Sequence, residues 1–450
     1  MGDLTDWDEE GYREAILRER QALTLTLFRS IFPPSRLSSD PDVLVAASSD
    51  GSLATYSVAS AISGHSMHSN VTDYRLYDLF DEFIVSEPQS FIKAHNGPVY
   101  DVKFFGDNED SLLLSCGDDG HIRGWKWKKI LNVEAPLSMK GHHLSPSFDL
   151  VSPQHRGPWN ALSPIPEVNS VATDIQGGRL FAAAGDSCAY CWDVETGTRT
   201  MTFTGHKDYL HCVIFRNTTN QIITGSEDGT AKLWDCRSGK CAQTIDPSTS
   251  LLTQKGTKRD FSWISCIAID SSENWLVCTS VLHMLMVLME QYLVCGGGDC
   301  LSLWSLPSSE CILRFETHFP IQDAIFDNNQ VLAVGASPLL TRYNIDGKIL
   351  SQIQCAPQSA FSVSLHPSGI VAVGGYGGLV DIISEFGSHL CAFRCQVGPD
   401  QAVPSIIDTG GDRAIPYDFV ATCHQKRPCP LTQYESSKNR PPRCISWFIK

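Results

Sequence analysis

The chain has 450 residues, a formal net charge of −15, 42% hydrophobic residues and 19% charged residues. This composition is typical of a folded chain and argues against disorder, and so acidic a surface disfavours direct binding to the phosphate backbone of nucleic acids. The 17 cysteines are odd in number and the first ten residues are acidic, so we predict free thiols in a reducing compartment and no secretory signal.

The first predicted element is a short helix within residues 1–23. Asp6 and Glu9 have the spacing of a capping box. Three apolar residues then fall on one helical face: Tyr12, Ile16 and Leu23. We expect this helix to cap one surface of the domain that follows, and a helix that binds a partner is the alternative.

Residues 24–395 repeat one pattern of apolar strand, polar turn, strand ending in an aromatic residue, and further strand. The clearest copy is TGSEDGTAKLWDCR (224–237), which follows a Gly-His pair at 205–206. This order is typical of one blade of a WD-repeat propeller. Four tryptophans end the third strand of such a repeat: Trp125, Trp192, Trp234 and Trp304.

Seven such segments predict an all-β, seven-bladed WD-repeat β-propeller with a short N-terminal helix and an irregular C-terminal tail over 396–450. Each strand is short and is bounded by Gly, Asp, Ser or Pro, as antiparallel blades require. The blades are predicted to start near Thr26, His95, Pro166, Gly205, Ser262, Phe319 and Ser359.

Two long loops interrupt this order. Residues 59–89 are acidic and aromatic, and residues 129–165 are rich in His and Pro. Loops on a rigid scaffold often carry recognition. Both segments are therefore candidates for binding, with tolerated surface insertion as the open alternative.

Histidine, aspartate and hydroxyl side chains recur in two of the repeats, and the combination invites a catalytic interpretation. The pattern occurs more than once, however, whereas a catalytic site occurs once. We therefore predict structural tetrads that satisfy buried polar groups and join strands, and no catalytic residue. The two sets are His206, Thr224, Asp228 and Trp234, and His95, Ser115, Asp119 and Trp125.

Three other motifs suggest chemistry but fit strands and turns better. CAYC (188–191) has zinc or redox spacing, yet residues three apart on a strand point to opposite faces. Cys236 and Cys241 bracket a turn, and GGYGG (374–378) lacks the GK[ST] ending of a phosphate loop. We predict no metal, no other cofactor and no small-molecule substrate.

The most apolar run, residues 275–289, is shorter than the roughly 20 residues that a spanning helix needs. It also lies in the middle of a repeat. We therefore predict no membrane association.

Arg237 differs from its counterparts in neighbouring repeats, which are Glu195 and Leu306. It lies two residues after the Trp-Asp pair, at the end of a strand near one propeller face. A planar, permanently charged guanidinium there can pair with a carboxylate of a partner. A solvated turn arginine is the alternative.

Several segments carry a more specific resemblance, and some of them lie outside the repeats. They are QHRGPWNALSPIPEVN (154–169), AAGDSCAYCWDVETG (183–197), LVCGGG (293–298), QIQCAP (352–357) and LHPSGIVAVGGYGGLV (365–380). On these residues the chain resembles the plant members of the THO subunit 6 family. The resemblance implies a non-enzymatic scaffold in the nucleus that binds other THO subunits and serves messenger-RNA processing and export.

Plant members of this family also resemble DWD-box proteins, substrate receptors of cullin-four ubiquitin ligases. That resemblance implies an alternative or additional function, binding of the ligase adaptor, with a link to abscisic-acid signalling. The box maps onto Ile222, Ile223, Asp228, Gly229, Trp234, Asp235 and Arg237.

Two segments depart from the family. Residues 279–291 look foreign, and the flanking copies NWLVC (274–278) and QYLVC (291–295) resemble the start of one strand. The tail over 396–450 shows no strand period. We interpret both as signs of an alternative splice form or of an imperfect gene model, in which coding segments are assigned wrongly.

Overall fold

The computed structural model describes residues 24–34, 43–68, 84–108, 110–132, 144–247, 262–282 and 300–395, together with helical positions 13, 16 and 20. These residues form seven sheets, each with four antiparallel strands in sequence order, and one additional strand pairs in parallel with the last sheet. The first strand of each sheet packs against the first strand of the next, and the seventh packs against the first. The predicted seven-bladed propeller is confirmed.

The first three blades begin where the repeat pattern predicts. Blade one has β1 (Leu27–Ile31), β2 (Val43–Ser48), β3 (Ser52–Ser57) and β5 (Ser90–Lys93), while β4 (Ile84–Ser86) leaves it to join blade seven. Blade two has β6 (Val99–Phe105), β7 (Leu112–Gly117), β8 (His121–Lys126) and β9 (Phe148–Val151). Blade three has β10 (Val168–Asp174), β11 (Arg179–Ala184), β12 (Cys188–Asp193) and β13 (Arg199–Thr204).

The last four blades repeat the arrangement. Blade four has β14 (Leu210–Arg216), β15 (Gln221–Ser226), β16 (Ala231–Asp235) and β17 (Cys241–Ile245). Blade five has β18 (Ser262–Ile269), β19 (Trp275–Leu282), β20 (Cys300–Ser305) and β21 (Glu310–Glu316). Blade six has β22 (Ile321–Asp327), β23 (Gln330–Gly335), β24 (Leu339–Asn344) and β25 (Ile349–Gln354). Blade seven has β26 (Ala360–Leu365), β27 (Val371–Gly375), β28 (Leu379–Ile383) and β29 (His389–Cys395).

The hydrophobic core lies between neighbouring blades. Second strands such as β11 and β15 are almost wholly buried, because the next blade covers one face and the previous blade the other. Fourth strands such as β13 lie at the outer rim and are mostly exposed. One core cluster illustrates the contact, since Phe181 and Phe203 of blade three pack with Trp234 of blade four.

The predicted loop over 59–89 contains regular structure that its composition did not indicate. Helix α1 (Val58–His68) packs on β29, and β4 pairs with β29 in parallel. Together they cover the outer edge of blade seven, where unpaired backbone groups would otherwise face solvent. The other predicted loop, 129–165, also contains β9 and the end of helix α2 (Trp127–Leu131).

Strand β19 continues into the segment that looked foreign. Residues 279 and 280 pair with both β18 and β20, so the first of the two similar copies supplies the strand of blade five. The rest of that segment, the tail over 396–450 and most of residues 1–23 lie outside the described residues. Within the described ranges, no helix is long and apolar enough to cross a membrane.

Successive turns of each blade alternate between two surfaces. We call the upper face the surface formed by the turns between second and third strands and by the connections between blades. It carries Asp119, Asp186 and Asp228. The lower face is formed by the other turns and carries Arg237 and Phe386.

Candidate functional site

Blade four brings together the four side chains predicted as a tetrad. The His206 Nδ1 atom lies 2.8 Å from Asp228 Oδ2, and its Nε2 atom lies 2.8 Å from Thr224 Oγ1. The Trp234 indole N–H donates to the same hydroxyl over 2.8 Å. Strand, turn and blade connection are thus joined by one hydrogen-bonded chain.

The Gly-His pair before this blade has a steric reason. Gly205 has φ +144°, and a Cβ atom there would come within 3.3 Å of the Trp234 ring. Only glycine readily adopts this φ and fits this close to the indole ring. Glycine at position 205 therefore allows the next residue, His206, to reach the turn aspartate.

Blade two repeats the arrangement. His95 Nδ1 lies 2.8 Å from Asp119 Oδ1, and its Nε2 lies 2.8 Å from Ser115 Oγ, which accepts the Trp125 indole N–H over 3.0 Å. Arg123 adds a 2.9 Å ion pair to Asp119. Every polar group of the set has a partner within the blade, as expected of a network that joins strands.

Other blades replace the tetrad. Asp186 of blade three is held by the Tyr190 hydroxyl and by His155 Nε2 at 2.6 Å, although His155 lies far upstream in the blade connection. In blade five the Trp304 indole donates to Ser302 of its own strand. Blade three therefore keeps the turn aspartate, but its histidine comes from a different position in the sequence.

The turn aspartates lead to a prediction for acid unfolding. Burial alone would raise the pKa of the Asp228 carboxyl, but hydrogen bonds from His206 and Thr230 outweigh it and hold that pKa below its usual value. A carboxyl whose pKa falls on folding stabilises the native state above its unfolded pKa of about 4, and this stability is lost as pH falls further. We expect Asp228→Asn to lower stability at pH 7 and to flatten its decline below about pH 4.

Urea unfolding at a series of pH values measures this effect. Asp110→Asn is the matched control, because Asp110 is exposed. An unchanged acid dependence in Asp228→Asn would contradict the assignment.

A second polar network, which sequence reasoning missed, joins the first strands, which surround the central channel of the propeller. Each first strand has a register shift near its start, and the first paired residue after that shift occupies the same position in all seven blades. We call these residues the channel ring: Arg29, Asp101, Ser170, Cys212, Cys266, Asp323 and Ser362.

Several ring side chains accept a backbone N–H from the next blade. Asp101 accepts from Val171 at 3.0 Å, and Asp323 accepts from Val363 at 2.9 Å. The Ser362 hydroxyl of blade seven accepts the backbone N–H of Ser30 in blade one at 2.9 Å, which joins the last blade to the first. The ring therefore links blades that the hydrogen bonds of the sheets do not connect.

Arg29 is the cation of this ring. Its guanidinium donates to Asp101 at 3.0 Å and to Asp323 at 2.7 Å, which spans blades two and six. Burial alone would lower the pKa of Arg29, but the two carboxylates raise it above its usual value. Asp101 and Asp323 are almost fully buried, with side-chain exposures of 1% and 4%, so Arg29 supplies the charge that they need.

The residues predicted as a DWD box comprise three buried core residues, three half-buried residues at turns and one exposed cation. Ile222, Ile223 and Trp234 are in the core, and Gly229 has φ +82° in the turn. Asp235 accepts the Arg237 backbone N–H at 3.0 Å, a bond that lowers the pKa of Asp235. Arg237 itself is exposed on the lower face.

The CAYC cysteines are free thiols on opposite faces of β12. Burial, followed by the nearby charge of Asp186, raises the pKa of Cys188 to about 11, and burial also raises the pKa of Cys191. The reactive thiolate form is thus disfavoured at both positions. Among the described residues, no group of three or more His, Cys, Asp or Glu is placed to hold a metal ion.

Comparison with known families agrees with the geometry of the blades. The family described as "WD domain, G-beta repeat" matches residues 86–126 and 197–235, which contain the two tryptophans of the His-containing tetrads. The fold and its repeated networks define a WD-repeat propeller protein.

Similar proteins narrow this class to one family. The chain is 50% identical to "THO complex subunit 6" of Arabidopsis thaliana over 393 residues, which cover 87% of this chain and 98% of that protein. It is 26% identical to "THO complex subunit 6" of Homo sapiens over 379 residues, 83% of this chain and 93% of that protein. The chain therefore belongs to the THO complex subunit 6 family, which confirms the resemblance seen in the sequence.

Proposed function

We propose that this chain is a non-enzymatic scaffold subunit of the THO assembly, which in the nucleus serves messenger-RNA processing and export. The observation that carries the proposal is the 50% identity across almost the whole length of the Arabidopsis THO complex subunit 6. A propeller suits such a function because it offers two faces and a rim of blade edges to several partners at once.

The polar networks support the non-enzymatic part of the proposal. The histidines, aspartates and hydroxyls that resemble a catalytic set form hydrogen bonds with one another and join the strands of blades two and four. Function in such a protein resides in its surface loops and faces.

Co-expression tests the proposal directly. The tagged full chain is expressed with the remaining THO subunits of the same species, and the captured complex is analysed by size-exclusion chromatography. A complex that contains this chain and its co-expressed subunits in fixed ratio is expected. Elution of the chain apart from all of them would refute the proposal.

A second candidate function is recruitment to a cullin-four ubiquitin ligase through the lower face. One specific observation favours it, the exposed position of Arg237 at the turn between β16 and β17. Because Asp235 is engaged with backbone and side-chain groups of the turn, the turn that presents the Arg237 guanidinium is fixed.

We expect Arg237→Ala to lose the ligase adaptor from affinity captures while THO subunits remain, because a bidentate guanidinium contact has no replacement nearby. Lys240→Ala is the matched control, since it removes an exposed cation from the same turn. Quantitative mass spectrometry of both captures measures the difference. Equal recovery of the adaptor with Arg237→Ala and wild type would count against a role for Arg237.

A further inference from the structure

An exposed tryptophan stands at the end of a loop on the upper face. The loop lies between β9 and β10, and we call residues 154–163 the tip loop. Trp159 at its end is 99% exposed. A single exposed apolar side chain is common on protein surfaces. What sets Trp159 apart is the fixed loop that presents it.

The tip loop is held in one shape by paired hydrogen bonds. Two hydrogen bonds join His155 and Ser163: the Ser163 backbone N–H donates to His155 O at 2.8 Å, and the His155 backbone N–H donates to the Ser163 hydroxyl at 2.9 Å. Nearer the end, Gly157 N–H donates to Ala161 O at 2.8 Å. His155 also anchors the loop to the turn of blade three through Asp186 at 2.6 Å.

The backbone at the end of this loop is strained. Trp159 has φ +63° and Asn160 has φ +61°, in the left-handed region that residues other than glycine rarely occupy. The Arg156 guanidinium donates to Asn160 Oδ1 at 2.8 Å, which helps to hold this conformation. Such strain persists where surrounding contacts impose it, and it is concentrated at binding sites.

We propose that Trp159 inserts into an apolar pocket of a neighbouring THO subunit, a pocket whose rim carries carboxylates that face Arg156. This inference rests on the function proposed above and identifies a contact through which the propeller binds another subunit of the assembly. Tryptophan and arginine are the residue types most enriched in the energetic centres of protein interfaces. The fixed loop presents both without an ordering cost on binding.

Neighbouring side chains support a protein pocket as the occupant. Leu162 of the same loop is 54% exposed and its backbone pairs with that of Arg156, so the loop presents a second apolar side chain. Arg156 is an exposed cation of the loop, and its charge is complementary to a carboxylate on the partner. Arg156 is the only lysine or arginine among the described residues 144–165, and one cation is too little for a nucleic-acid backbone, which proteins bind with several lysines and arginines.

Binding of the co-expressed THO subunits to four variants tests the inference. Trp159→Ala removes the anchor, Trp159→Phe keeps an aromatic ring, and Arg156→Glu reverses the charge. Phe386→Ala is the matched control, because Phe386 is a 90% exposed aromatic on the lower face. All variants are first compared by thermal unfolding, which the three aromatic substitutions should leave unchanged because these side chains are exposed.

We expect Trp159→Ala to weaken binding by about thirtyfold or more, the size of an interface hot spot. Trp159→Phe should retain most of the affinity, Arg156→Glu should lose part of it, and Phe386→Ala should bind as wild type does. A photo-crosslinking amino acid at position 159 should give one crosslink to a THO subunit, and one at position 386 should give none to that subunit.

The outcomes separate this inference from the function on which it rests. If wild type and Trp159→Ala bind the THO subunits equally, the inference is wrong and the scaffold function stands. If wild type binds none of them, the scaffold function itself is wrong. A crosslink from position 159 to a second copy of this chain, or to RNA alone, would also overturn the inference.

Discussion

Replacing Arg29 with methionine is expected to lower the free energy of unfolding by about 3–5 kcal/mol, the usual cost of removing one partner from a buried ion pair. The reason lies in what remains. Asp101 and Asp323 keep their hydrogen bonds to Val171 and Val363, but they would lose the only cation that the channel ring supplies to them. Two uncompensated carboxylates would then stay buried in the channel.

Urea unfolding at pH 7 measures this cost, and Arg216→Met is the matched control. Arg216 is also buried, but its guanidinium donates to a backbone carbonyl of Glu273 and to the Gln221 amide oxygen, with no carboxylate involved. We expect a clearly smaller loss for the control. Equal losses in both variants would mean that packing of the arginine, and not its charge, stabilises the ring.

Neutralising the two carboxylates provides a second check. Adding Asp101→Asn and Asp323→Asn to Arg29→Met should recover part of the lost stability, because each amide has the size of the carboxylate and keeps one acceptor oxygen but carries no charge. The recovery would assign the cost to uncompensated charge.

The blades and their tetrads were predictable because their signals are local. The Gly-His pair, the turn aspartate and the strand that ends in Trp234 fall within one repeat, and blade two repeats the order of histidine, hydroxyl, aspartate and tryptophan, with Ala94 in place of the glycine. The spacing of these residues along the chain therefore predicts which of them contact one another. The starts of all seven blades followed from the same repetition.

The channel ring was not predicted, because its contacts join residues distant in the chain. Arg29 and Asp323 are 294 positions apart and meet only after the ring has closed. A usable signal was present, since a polar or charged residue interrupts an apolar first strand at the same place in β1, β6 and β22. Comparison of first strands alone would have revealed it.

Strands β4 and β9 were missed for a different reason. They have only three and four residues, too few to show a period of two, and both lie within segments whose composition is that of loops. Their pairing comes from the edge of a blade that is already formed. In the same way, the exposure of Trp159 could not be read from the sequence, because no repeat pattern surrounds it of the kind that places Trp125, Trp192, Trp234 and Trp304 at the ends of strands.

Trp234→Ala is expected to cost about 3–5 kcal/mol of unfolding free energy, the usual range for deleting a buried tryptophan. The side chain is 2% exposed, and its ring lies 6.0 Å from that of Phe203 in blade three and 5.9 Å from that of His206. Its removal would open a cavity between two blades and take the indole donor from Thr224. Both effects act at the same junction, so the loss should exceed that of either alone.

The control for this variant is Trp275→Ala, because Trp275 is 37% exposed at the start of β19. Chemical unfolding of both variants gives the two costs under the same conditions. If the tetrad joins the blades, His206→Ala and Trp234→Ala should be less than additive in the double variant, since each breaks the same hydrogen-bonded chain. Strict additivity of the two losses would mean that the hydrogen-bonded chain does not couple His206 and Trp234 energetically. Trp234 would then stabilise the junction only by filling space.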